Sequence, residues 1–188
     1  VLLIKIFEES ARLKIPVSQE GRRLIQEFSQ MVDERVRTAP EVVRSFERIL
    51  MAPAPVFNVL NAMLTTGLLP RLIPGFADII HRIQYNEYHI YPVDKHSLRT
   101  VQTLKRFGTD ADQSAEPLCG ELFKKMKHRR LLMWAALLHD IGKGRPGGEH
   151  AKSGARIARK LLAEFGAKPE ETDLVSDLVR DQIGRAHV

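Results

Sequence analysis

The chain has 188 residues, of which 44% are hydrophobic, and a formal net charge of +6 at pH 7. That length can bury one sizeable hydrophobic core or two small ones. The single cysteine, Cys119, excludes an internal disulfide and suits a reducing compartment, so a cytoplasmic location is expected. No apolar run approaches the roughly 20 residues that span a bilayer, so no membrane association is expected. The positive charge permits an anionic partner but does not choose between nucleic acid, a nucleotide and an acidic protein surface.

The first half of the chain predicts short helices separated by proline and glycine turns. Apolar residues recur there at the three- and four-residue spacing of one helix face. The predicted helices cover residues 1–14, 19–37, 41–51, 56–65 and 76–83. Residues 85–93 are rich in tyrosine, but Pro92 and the polar start favour an extended loop over a central strand.

The second half continues the helical pattern. The predicted helices cover residues 95–107, 121–138, 149–165 and 170–180. Asp94 is a good N-cap for the first of them, and Gly166 is a good stop for the third. Apart from the short stretch 85–93, no segment shows two-residue alternation, so the pattern favours helices along the chain.

The basic stretch 124–130 lies inside the predicted helix 121–138. It could bind phosphate groups. It contains no interleaved aromatic residues for base stacking, so we interpret it as a solvated helix face and expect no nucleic acid partner.

The most informative stretch begins with eight apolar residues, Leu131 to Leu138, which run directly into His139 and Asp140. A helix that is apolar all round is buried. This stretch therefore predicts a core helix with an imidazole and a carboxylate at its end. One interpretation is structural: a backbone carbonyl satisfies the histidine ring, and Asp140 caps the next turn. The other is functional, because buried carboxylates are usually paired or bound to a metal.

Four residues at predicted helix ends could form a site: His96, His139, Asp140 and His150. Imidazole and carboxylate ligands suit Mn, Fe, Co or Zn better than Ca or Mg. The helix that begins near His150 offers free N–H groups to a phosphate, and Lys143 could add a positive charge. A metal beside such a helix end indicates hydrolysis of a phosphate ester. Structural roles are assigned to three other histidines, His81, His89 and His128.

Three segments carry a resemblance to a known family. They are residues 79–101 (IIHRIQYNEYHIYPVDKHSLRTV), 131–158 (LLMWAALLHDIGKGRPGGEHAKSGARIA) and 171–180 (ETDLVSDLVR). HDIGK with an upstream histidine resembles the HD superfamily of metal-dependent phosphohydrolases. The longer match is similar to the HD domain of the bifunctional uridylyltransferase/uridylyl-removing enzymes, which modify the nitrogen regulatory protein PII. The helices before about residue 74 resemble the connector that precedes this domain in the family.

The resemblance implies an all-helical HD bundle that hydrolyses the uridylyl-tyrosine phosphodiester of PII and releases UMP. It implies a divalent metal, Mn or Mg in the family, with Fe, Co or Zn as alternatives. His96, His139 and Asp140 match the family's first metal ligands, and His150 matches a further active-site histidine. We therefore assign metal binding to His96, His139, Asp140 and His150. We assign catalysis to His139, Asp140, Lys143 and His150.

The resemblance divides the chain into a helical connector at 1–73, a partial HD domain at 74–182 and a non-native tail at 183–188. Family members continue beyond the position of Arg180 with a histidine-rich turn and a later ligand aspartate, and Asp181 comes too early to match that aspartate. The closing IGRAHV reads like a translated sequencing adapter. We therefore expect a sequence cut at both ends and a chain with weak activity or none.

Two other functions remain open. The same chemistry could act on a free nucleotide or a cyclic dinucleotide. Alternatively, the chain could be a non-catalytic helical interaction module that docks through its basic stretch 124–130.

Overall fold

A computed structural model describes residues 1–53, 57–82, 92–107, 117–145 and 149–181. Over these ranges the chain forms helices and turns without a strand, as the all-α prediction requires. The helices are α1 (Leu2–Leu13), α2 (Gln19–Phe28), α3 (Glu34–Arg37), α4 (Pro40–Met51), α5 (Val59–Thr65), α6 (Leu68–Leu72), α7 (Val93–Phe107), α8 (Pro117–Lys125), α9 (Arg129–Leu138), α10 (His150–Glu164) and α11 (Pro169–Asp181). In the part of the chain that the structure describes, 3₁₀ turns lie at Ser29–Met31, Pro74–Phe76 and Ile141–Gly144. Within the described ranges, no helix has both the length and the apolar character to cross a bilayer.

Helix α9 lies at the centre of the fold and packs against α4, α7 and α11. Its Trp134 is fully buried, with its ring centroid 5.2 Å from that of Phe46 on α4 and 5.8 Å from that of Phe165. The indole N–H donates to Glu47 Oε1 at 3.1 Å, because a buried donor needs an acceptor. The all-round apolar sequence of α9 therefore has the buried position that it predicts.

Charged contacts join the first helices to the rest of the fold. Arg130, in the first turn of α9, donates to Glu47 on α4 and to Glu171 on α11. Buried apolar residues from before and after residue 73 form one continuous core. The boundary proposed between residues 73 and 74 therefore stays a prediction from resemblance, since the packing continues across it.

Helices α10 and α11 form a hairpin that completes the bundle. Gly166 follows α10 with φ of 77°, a left-handed conformation that costs glycine little. This confirms the predicted stop for this helix.

The helix predicted at 19–37 is broken, so this prediction was wrong in its middle. Helix α2 ends at Phe28, and Ser29 Oγ donates back to the Gln26 carbonyl at 2.9 Å. The Asp33 carboxylate then accepts from the Val36 amide at 2.8 Å and starts α3 as its N-cap. Serine and aspartate offer the backbone these local alternatives to a continuous helix.

The helix predicted at 121–138 is also two helices, α8 and α9, separated at residues 126–128. The basic stretch 124–130 covers this break, and all of its residues except Arg130 are exposed. Like charges three and four residues apart repel along a helix, which disfavours continuation here. The interpretation of this stretch as a solvated surface agrees with its exposure.

Two further expectations near residue 80 were wrong. The helix predicted at 76–83 is absent from its described part, residues 76–82: a 3₁₀ turn at Pro74–Phe76 leads into tight turns that end at His81, whose φ is 56°. Asp94 does not cap α7, because that helix begins at Val93. Its carboxylate is fully buried and accepts no hydrogen bond in the described part of the chain.

Two predicted segments fall outside the described residues. They are most of the loop 85–93 including His89, and the tail 183–188.

A buried lysine connects α7 to the end of α4. Lys105 is 6% exposed, and its Nζ donates to the Ile49 carbonyl at 2.6 Å. That carbonyl belongs to the last turn of α4, where the helix dipole favours a cation. Burial nevertheless lowers the pKa of Lys105 to about 8.

This burial predicts a specific pH dependence of stability. Between the folded pKa of about 8 and the ordinary value of 10.5, the unfolded chain binds the proton more tightly than the folded chain. The free energy of unfolding therefore rises with pH across that window. We therefore expect the free energy of unfolding of the parent to rise by about 2 kcal/mol between about pH 7.5 and pH 10, relative to that of Lys105→Met at the same pH values. Urea unfolding measures both. The control is Lys127→Met, at an exposed position, whose free energy of unfolding should depend on pH as that of the parent does. If the pH dependence of Lys105→Met also matched that of the parent, the prediction would be wrong.

Candidate metal centre

Two helix ends bring three predicted site residues together. His96 lies in the first turn of α7, and His139 and Asp140 directly follow α9. One ligand atom from each residue can be chosen so that all three lie within 4.8 Å of one another. Asp140 Oδ2 is 3.3 Å from His139 Nε2 and 3.9 Å from His96 Nε2. The two imidazole rings meet edge to face, with centroids 5.1 Å apart.

The position of His139 fixes which of its nitrogens can bind an ion. Its Nδ1 is 2.8 Å from the Ala136 carbonyl oxygen, and a carbonyl can only accept, so Nδ1 carries the proton. In the neutral ring, which is the form that binds a metal, the lone pair is then on Nε2, the atom that faces Asp140. Metal-ligating histidines are commonly oriented by such a hydrogen bond from the other nitrogen.

This geometry bears on the two interpretations of the His-Asp pair. The ring is satisfied by a carbonyl, as the structural interpretation expects. However, the Asp140 side chain makes no capping bond to the 3₁₀ turn that follows it. Its carboxylate lies instead among His139, His96 and Lys143.

Asp140 is a buried anion surrounded by donors and positive charge. Only 4% of the residue is exposed, and Lys143 Nζ lies 3.0 Å from Oδ2. Burial alone would raise the pKa of the Asp140 carboxyl, but the His139 ring, when its Nε2 also carries a proton, and then the Lys143 ammonium group outweigh it. The pKa therefore lies well below its ordinary range, and the carboxylate is ionised at neutral pH.

Helix α10 packs directly on the turn that carries Lys143. A Cβ placed on Gly142 would lie 2.0 Å from the His150 carbonyl oxygen and 2.4 Å from the Gly154 amide nitrogen. Only glycine permits this approach without a shift of the backbone. The start of α10, including the His150 backbone, is therefore held against the turn that follows Asp140.

His150 is not a member of the three-residue cluster, although it was assigned as a ligand from the sequence. The structure thus brings together three of the four assigned ligands, with Lys143 on the same carboxylate. The roles assigned to His150 and Lys143 stay predictions.

A second segment braces the turn from the other side. A Cβ on Gly144 would lie 2.5 Å from Asp78 Cβ, and Arg82 donates to the Gly144 carbonyl at 3.1 Å. Arg145 Nη2 also lies 3.5 Å from Asp78 Oδ2. Sequence reasoning missed this contact, because no residue spacing links positions 78 and 144, which meet only through packing. The turn of residues 77–82 and the 3₁₀ turn Ile141–Gly144 thus stabilise each other.

The donor set fits a divalent ion. Two imidazoles and one ionised carboxylate are the ligands that borderline first-row metals prefer. The tautomer of His139 directs a lone pair toward the other ligands, and Asp140 carries the negative charge. His96 is 39% exposed at its side chain, so the cluster lies near the surface, where an ion can enter.

Comparison with known proteins assigns the chain to a family. The HD domain family model matches residues 93–187, about half of the chain, and this range includes all three residues of the cluster. The chain therefore belongs to the HD domain family.

Within that family, the chain is similar to proteins named bifunctional uridylyltransferase/uridylyl-removing enzyme. The protein from Methylococcus capsulatus is 39% identical over 161 residues, which cover 86% of this chain and 18% of that protein. The protein from Bordetella avium is 36% identical over 167 residues, covering 89% and 19% respectively. The protein from Azospirillum brasilense is 36% identical over 178 residues, covering 95% and 19%. The chain thus spans about a fifth of the length of the curated relatives that it matches.

Proposed function

We propose that this chain carries the uridylyl-removing site of a bifunctional uridylyltransferase/uridylyl-removing enzyme. In this proposal it hydrolyses the uridylyl-tyrosine phosphodiester of uridylylated PII and releases UMP, as part of nitrogen regulation. The main structural support is the convergence of His96, His139 and Asp140 at the meeting point of α7 and α9. The supporting comparison is the similarity to proteins whose name includes this reaction.

Each residue has a role that follows from its position. His96, His139 and Asp140 would hold the ion, and the Ala136 carbonyl keeps the His139 ring oriented toward it. A bound divalent ion lowers the pKa of a coordinated water and neutralises charge that develops on phosphorus. Lys143 is close enough to Asp140 to fix the carboxylate and adds positive charge beside the substrate phosphate.

The start of α10 would contribute to phosphate binding. Its first N–H groups have no partner within the helix and lie beside the turn that carries Lys143. We keep His150, the first residue of α10, as a catalytic candidate at this position.

The proposal is tested by UMP release from uridylylated PII with the chain in excess, in Mn²⁺ and after chelation with EDTA. We expect Mn²⁺-dependent release that EDTA abolishes and that added Mn²⁺ restores. Free UTP and a cyclic dinucleotide serve as alternative substrates in the same assay.

The outcomes separate the candidate functions. Hydrolysis of the free nucleotide but not of modified PII would transfer the assignment to a nucleotide phosphohydrolase. A chain that binds PII, contains no metal and hydrolyses none of the substrates would be an interaction module. Either result overturns the proposal.

A further inference from the structure

A cavity of about 510 Å³ lies between α7, α9 and α11, and none of the described residues that line it belongs to the metal cluster. Its walls are mainly aliphatic, and two carboxylates lie at one side. The residues used below are Leu104, Leu132, Ala135 and Leu178 on the walls, and Asp177 and Asp181 on α11. A mainly apolar cavity of this volume with few polar groups is typical of a small-molecule site.

Two backbone contacts tie this cavity to the metal ligands. Thr100, which lines it, donates through Oγ1 to the His96 carbonyl at 3.0 Å. Ala136, which also lines it, provides the carbonyl that orients His139. The cavity therefore begins one helical turn from each imidazole ligand.

The cavity then extends away from the metal ligands along the seam of α7 and α9. Leu104 is eight residues beyond His96, and Leu132 is seven residues before His139. At 1.5 Å per residue, these walls lie about 10 to 12 Å from the ligands along the helices. That distance is comparable to the length of a nucleoside 5′-phosphate.

The direction of α11 places the carboxylates near the metal end. Arg130 and Glu171 pair near the starts of α9 and α11, so the two helices run side by side in the same direction. Asp181 is therefore level with the His139 end of α9, and Asp177 lies one turn before it. Arg180 contacts Oδ1 of both aspartates at 3.1 and 3.0 Å, so the three side chains together carry one negative charge.

We propose that this cavity binds the nucleoside half of the phosphodiester substrate. The phosphate lies at the metal cluster and Lys143, because the aspartates repel it. The ribose hydroxyls donate to Asp181 and Asp177, since ionised carboxylates only accept. The base occupies the aliphatic slot between Leu104, Leu132 and Leu178. This inference rests on the proposed function, which supplies the nucleotidyl substrate.

The base slot is tested by filling it. Leu178→Trp places a larger ring at the wall, and Leu174→Trp is its matched control on the same helix, since Leu174 is similarly exposed but is not among the cavity residues. Binding of UMP and of ribose 5-phosphate, which lacks the base, is measured by calorimetry in the presence of Mn²⁺. We expect Leu178→Trp to weaken UMP about tenfold or more and to change ribose 5-phosphate less than about twofold. Leu174→Trp should change neither.

The ribose contact is tested with Asp177→Asn, and the exposed Asp173→Asn on the same helix is the control. Asp177→Asn should weaken UMP about tenfold and should reduce the preference for UMP over dUMP, while inorganic phosphate binding does not weaken, because the variant removes a charge that repels it. Equal affinity of the parent for UMP and ribose 5-phosphate would overturn the inference. Equal effects of the two tryptophan variants would also overturn it.

The inference and the proposed function fail separately. Hydrolysis of bis(p-nitrophenyl) phosphate requires the metal cluster and no nucleoside. Metal-dependent hydrolysis of this ester without any contribution of the base to binding would overturn the cavity assignment alone. Base-dependent UMP binding without hydrolysis of any phosphodiester would overturn the proposed function alone.

Discussion

His139→Asn is expected to weaken Mn²⁺ binding by more than about 100-fold and to reduce metal-dependent phosphodiester hydrolysis below about 1% of the parent. Loss of an orienting partner alone commonly costs 10- to 100-fold in metal affinity, and this change removes a ligand. Asparagine can still donate an N–H to the Ala136 carbonyl, so it tests the Nε2 lone pair rather than the buried hydrogen bond. Calorimetric Mn²⁺ titration measures the effect, and thermal unfolding confirms that the variant is folded.

The matched control is His128→Asn. His128 is exposed and lies at the opposite end of α9, outside the cluster. We expect Mn²⁺ affinity and hydrolysis within about twofold of the parent, because this side chain lies about 15 Å along the helix from His139. Unchanged Mn²⁺ affinity in a folded His139→Asn variant would show that the cluster does not hold the ion.

Gly142→Ala is expected to lower the free energy of unfolding by about 3 kcal/mol or more. The added methyl would meet two backbone atoms of α10, at 2.0 and 2.4 Å, and backbone cannot rotate away as a flexible side chain can. Relief requires α10 to move off the turn that follows Asp140. We therefore expect weaker Mn²⁺ binding as well, measured by titration after urea unfolding has quantified the loss of stability.

Gly166→Ala separates this contact from the general cost of replacing glycine. A Cβ on Gly166 would have no atom within 4 Å, but its φ of 77° disfavours alanine. The expected loss is about 1 kcal/mol, from backbone conformation alone. If the two variants lost equal stability, the close packing of α10 on Gly142 would not contribute to the fold.

The helical class and most helix ends follow from local rules. Helix α9 is apolar on all sides, so its burial could be inferred without knowledge of its neighbours. Gly166 ends α10 because a left-handed residue is needed there, and glycine adopts that conformation most easily. The breaks at 29–33 and 126–128 were missed, because apolar spacing continues through both while capping and charge repulsion interrupt the backbone.

The sequence by itself determined the chemical types at the metal centre: adjacent His139 and Asp140 at the end of a core helix, with histidines available elsewhere. Residue spacing left His96 and His150 as candidate partners, and the family resemblance matched both to the site. Only the tertiary structure brings one of them to the pair, because residues 43 positions apart meet through packing that residue spacing does not encode. It selected His96 for the cluster and placed the His150 backbone against Gly142. It also fixed the His139 tautomer, because the Ala136 carbonyl is in reach only after α9 has folded. Local sequence governs dihedral angles and burial, whereas ligand geometry depends on how separate helices pack against one another.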